Sequence, residues 1–137
     1  MDAFTLHIST AIVSAMMVVS VLTFDLVVNR ERSLIDWSIA GGLFFFSNAV
    51  GIASYFLDIP YWLGPALTNA CYILAHLALL VGVRRHLLLP ANWSLMLWVA
   101  VAVFFAHYIP GLLETITHRL LYIYPLLMAI NVFTVFT

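Results

Sequence analysis

Charge is almost missing from long stretches of this chain, and that constrains it more than anything else. Between Phe4 and Val28 the only charged residue is Asp25, and the first basic residue is Arg30. Similar apolar blocks follow at about 34–57, 61–83, 93–109 and 119–137, parted by short polar or Pro/Gly-marked joints. A bilayer core about 30 Å thick takes about 20 helical residues at about 1.5 Å each. The blocks therefore predict an all-α, polytopic transmembrane bundle of about five helices in a single domain of 137 residues. Charged residues are 8% of the chain, against about 25% in a soluble domain, too few to cover a water-facing surface. Mean hydropathy of +1.11 agrees.

The same numbers exclude other classes. A net charge of −1 supplies no basic surface for nucleic acid. The single cysteine, Cys71, cannot form an internal disulfide. The start is no signal peptide, because such peptides open on positive charge and this chain opens on Asp2. There is no nucleophile with a matched base and no phosphate-cradling glycine loop, and the acids read as scattered among termini and joints, so these residues imply no enzyme.

Arginines orient the path. Arg30 and Arg32 lie in the first joint, and Arg84 and Arg85 in the third. The positive-inside rule puts those joints in the cytoplasm of a bacterial inner membrane, the N-terminus outside and the C-terminus inside. Trp37, Trp62 and Trp93 fall near the interfaces, as an aromatic belt expects. The fifth block runs to Thr137 without a polar anchor, which reads as the front part of a longer protein.

Polar groups at membrane depth face a bundle interior or a cavity. Asn48, Gly51 and Tyr55 share one face of the second helix by i, i+3, i+7 spacing, and Asn69, Tyr72 and His76 share one face of the third. Two such stripes facing each other either hold the bundle together or enclose a pocket for a small apolar or amphipathic ligand. His76 and Asp25 fall at similar depth, and His76 reads first as a neutral ring bonded to a neighbouring hydroxyl or carbonyl, with a His76–Asp25 pair as the alternative. His7, His107 and His118 map to the outer side with Asp2 and Glu114. They read either as solvated rim residues or as weak ligands for zinc or copper, with His7 and His107 the only pair placed for a haem. No cofactor is required by the sequence.

Three segments carry a resemblance: Leu57-Asp58-Ile59-Pro60-Tyr61-Trp62-Leu63, Asn69, and Leu79-Leu80-Val81-Gly82-Val83-Arg84-Arg85. With the Met1-Asp2 opening and the Trp37 to Gly42 start of the second helix, they resemble the N-terminal multi-helix membrane region of bacterial GGDEF-domain proteins. The resemblance implies a sensory input domain, working as a homodimer and followed by a cytoplasmic output domain that makes cyclic di-GMP from GTP. The chain departs from that pattern in having no GGDEF motif, and in His76, where an apolar or small residue is expected. Ala106-His107-Tyr108-Ile109 is also similar, at two residues only, to the Met-His-Tyr-Thr motif of another bacterial membrane sensor domain. A membrane haem or metal redox module and a small transporter are the competing readings. The transporter would need broken helices, for which Pro65 and Pro125 are the candidates.

Overall fold

The structure, a computed structural model, describes residues 2–28, 31–60, 63–113 and 115–136. It is all-α. Five helices run in order: α1 (Ala3–Val28), α2 (Arg32–Ala53), α3 (Gly64–His86), α4 (Trp93–Ala106) and α5 (Ile116–Val135). Local chemistry sets their ends. The Asp2 carboxylate accepts the Thr5 N–H at 2.7 Å and starts α1, and this bond holds its carboxyl below the usual carboxylate range. Pro65 lies in the first turn of α3, where a missing N–H costs nothing, so it does not break the helix. Asn92 and Thr115 cap α4 and α5 by accepting the N–H groups of Leu95 and His118. Pro125 lies inside α5 and leaves that helix one internal hydrogen bond short.

Three helices, α1 to α3, are long and apolar enough to cross a membrane. The fourth block does not reach the length expected of it. α4 ends at Ala106 after 14 residues, which is about 21 Å and short of a bilayer core. The second block also ends early: the chain turns over 54–57, and α2 stops at Ala53. Outward faces are apolar. Ile12, Met16, Val19 and Leu26 on α1 are all exposed, as lipid-facing side chains are. Arg30 and Trp62, used above for orientation and the aromatic belt, lie outside the described residues.

Successive helices run antiparallel. His7 meets Asn48 across α1 and α2, Asp36 meets Arg85 across α2 and α3, and Asn69 meets His107 across α3 and α4. α3 is the hub, packed against α2, α4 and α5, while α1 packs on α2. α5 runs parallel to α3, and its backbone comes close to α3 alone. The main apolar core joins Ile73 and Leu77 of α3 to Val103 of α4, Leu113, and Ile123, Leu127 and Ile130 of α5.

Small residues let α2 and α3 approach. Ala66, Ala70, Ala75, Ala78 and Gly82 are buried on α3, as are Ala40 and Ser47 on α2. Gly82 is the tightest point: a Cβ there would overlap the Trp37 indole and lie 3.2 Å from the Ser33 carbonyl oxygen. Gly41 faces Val18 on α1, where a Cβ would fall 2.8 Å from a methyl group. Gly42, its neighbour, faces open space.

One end of the bundle is fastened by an ion pair on a buried carboxylate. Asp36, 1% exposed, receives Arg85 Nη1 at 2.9 and 3.0 Å, and the Trp93 indole N–H at 2.9 Å. α2, α3 and α4 are thereby tied to one carboxylate. Arg85 thus turns inward from the helix end, and Asp36 belongs to the bundle interior, not to a joint. Nearby, Arg84 Nε donates to the Pro90 carbonyl and steadies the α3–α4 connection.

Asp36→Leu should cost about 3 kcal/mol of stability in detergent unfolding, since it strands a partly buried guanidinium and the Trp93 N–H. Asp36→Leu with Arg85→Leu should recover much of that loss, and equal loss in both would contradict the account. Gly82→Ala should cost about 1–3 kcal/mol and Gly42→Ala nothing measurable in the same assay.

Candidate functional site

The polar stripes of α2 and α3 do not bond to each other. The α2–α3 seam is closed by small side chains, with the Ser47 hydroxyl donating to the Thr68 carbonyl at 3.0 Å. Asn48, Asn69 and His76 each turn to a third helix instead. Asn48 Oδ1 accepts from Thr10 Oγ1 at 2.6 Å and from His7 Nδ1–H at 3.1 Å, both on α1. Its amide nitrogen donates to the Phe44 carbonyl. Asn69 Nδ2 donates to His107 Nε2 at 3.0 Å at the end of α4, and His107 Nδ1–H donates to the Val103 carbonyl. His76 Nδ1–H donates to Asn131 Oδ1 on α5 at 3.0 Å.

These bonds have a shared cause. In lipid a polar side chain without a partner is costly, and Asn48, Asn69 and His76 each meet that cost with a polar group on a neighbouring helix. Each bond is worth about 0.6 kcal/mol on average.

α1 and α5 flank the two stripes without closing over them. Between them lies a lateral cleft of about 860 Å³, floored by α2 and α3. Asn48, Asn69, Tyr72 and His76 line it, joined by Thr10, Ser47 and Asn131. Its walls are apolar, among them Val13 and Met17 of α1 and Leu127 and Met128 of α5. No Asp, Glu, Lys or Arg is among the described lining residues. Phe44, Tyr72 and His76 form a three-ring cluster on one side, with centroids 5.0–5.2 Å apart and edges turned to faces.

Tyr55 is elsewhere. It stacks edge-on with Phe4 at 5.1 Å and lines a second hollow of about 640 Å³ beside Arg119 and the His7 end of α1. Gly51 leaves room for the His7 ring there, since a Cβ would fall 2.8 Å from it. Asp25 lines neither space. The bond of His76 goes to Asn131, not Asp25, and Asp25 Oδ1 is buried without a hydrogen-bond partner among the described residues.

The outer histidines do not assemble. His7 belongs to Asn48, His107 to Asn69, and the buried Nδ1 of His118 has no partner among the described residues. Glu114, grouped with them above, lies outside the described residues. No three His, Cys, Asp or Glu side chains among the described residues are placed to hold a metal ion.

Asp36 and Asn131 went unremarked in the sequence, although both carried a usable signal. Each is a polar residue inside an apolar helical block, and such a residue requires a partner.

No protein-family model matches this sequence, and neither a curated protein nor a solved structure does so.

A double-mutant cycle of Asn69→Leu and His107→Phe in detergent unfolding should show a coupling of about 0.6 kcal/mol, and at most about 1.7. Strictly additive losses would mean that the two side chains do not meet.

Proposed function

We propose that the chain is a membrane-embedded input module that senses an uncharged, amphipathic small molecule and passes its occupancy to an output domain. The observation that carries this reading is the cleft: it opens sideways between two apolar helices and has a neutral polar floor. Its size falls within the usual range for small-molecule sites, about 300–1,000 Å³. An opening toward lipid suits a molecule that partitions into the membrane first and then enters from the side.

The floor and one wall meet at a polar contact, His76 to Asn131. A ligand that engages either residue acts on the α3–α5 junction, and α3 is the one helix that the α5 backbone approaches among the described residues. Binding biases two arrangements only through a difference in affinity between them, and this contact is where such a difference arises most directly.

The resemblance of residues 57–63, Asn69 and 79–85 to the membrane regions of GGDEF-domain proteins supports diguanylate cyclase control as the output. On that reading the module belongs to a homodimer in a bacterial inner membrane, with the end of α5 on the cytoplasmic side. The arginine distribution supports the same orientation.

His76→Ala and Asn69→Ala in the full-length gene product should each change cellular cyclic di-GMP by about fivefold or more, at unchanged abundance in the membrane. Wild-type levels from both variants would remove the reading.

A further inference from the structure

We infer that the cleft selects a lipid-soluble quinol, the dihydroxy form of an isoprenoid quinone, over the oxidised quinone. This rests on the sensing role proposed above and names the ligand class.

The argument starts from the tautomer of His76. Its Nδ1–H is committed to Asn131 Oδ1 at 3.0 Å. In a neutral imidazole one nitrogen donates and the other accepts, so Nε2 is left as an acceptor. That nitrogen makes no hydrogen bond among the described residues, and it is not enclosed. An acceptor with no partner in a cleft that faces lipid calls for an O–H or N–H donor from a ligand.

Three further observations narrow the donor. The cleft has no charged side chain among its described lining, which disfavours an ammonium or phosphate head group. Against the His76 imidazole stand the Phe44 and Tyr72 rings, whose edges and faces suit a flat aromatic head better than a flexible one. The Tyr72 hydroxyl and the Asn131 amide N–H groups also make no hydrogen bond among the described residues, and so remain to serve a second oxygen on the same ring. The apolar walls of α1 and α5 then take an isoprenoid tail.

A quinol donates from its hydroxyl to His76 Nε2. A quinone offers only carbonyl acceptors, which meet a lone pair there. The difference of one made against one frustrated hydrogen bond corresponds to about tenfold or more in affinity.

The test uses the chain in lipid nanodiscs with 15N-labelled histidine. Decylubiquinol, decylubiquinone and 1-decanol are titrated separately while the His76 Nε2 resonance is followed. Saturable displacement of that resonance by decylubiquinol, with decylubiquinone at least about tenfold weaker, is the expected result. Asn131→Leu frees the tautomer and should reduce the discrimination to about twofold, while His76→Phe should abolish it with the bundle still folded. Equal binding of the two redox forms overturns the hydroxyl selection and leaves the sensing role standing. Decanol binding as tightly as decylubiquinol overturns the aromatic head group and likewise leaves it. No saturable binding of any of the three, as when a helix from a second copy fills the cleft, overturns both.

Discussion

Helices surrounded by lipid gain little by hiding apolar side chains from one another, because lipid tails are as apolar as leucine. What joins α2 to α3 must therefore be fit and polar closure, and the seam has both. Alanines, serine and glycine bring the two backbones together, and the Asp36–Arg85–Trp93 cluster fastens one end. A carboxylate 1% exposed is tolerable in such a place only because two donors share it. Once α2 and α3 are fixed, α1 follows by the Gly41–Val18 and Asn48–His7 contacts, and α4 follows through Trp93 and His107.

The cleft is a by-product of that order. Because the α2–α3 seam is filled by small residues, the larger polar side chains of both helices are pushed to its flank. There they reach α1, α4 and α5, and the two outermost helices are left apart with the polar floor between them. A hydrogen-bonding surface in contact with lipid is unusual, and this one carries several side chains whose capacity is only half used.

Much of the fold was legible from the sequence because charge spacing and helical rise together leave few options. Five helices and the short turns between them follow from blocks whose breaks are marked by Asn29-Arg30, Asp58-Ile59-Pro60, Pro90-Ala91-Asn92 and Pro110-Gly111. The shortness of α4 was harder to read, since Tyr108 and Ile109 continue the apolar pattern beyond the last helical turn. Four cleft residues, Asn48, Asn69, Tyr72 and His76, were visible by spacing alone. Their partners were not. Periodicity gives the face on which a residue lies but not the helix which that face meets, so Asn131 displaced Asp25 as the neighbour of His76, and Asn48 and Asn69 looked away from each other. Asp36, near the start of its helix, reads in the sequence as part of a joint.

Pro125 gives α5 an uneven mechanical character. The proline has no N–H to return to the turn before it, so the Leu121 carbonyl lacks its usual donor and the helix is softest there. On the near side of that weak turn, Ile123 is seated in the core; on the far side stand Leu127, Ile130 and Asn131. Leu127 and Ile130 belong to the same core as Ile123, so α5 is seated on both sides of its softest turn, and the His76–Asn131 bond adds a polar tie beyond it.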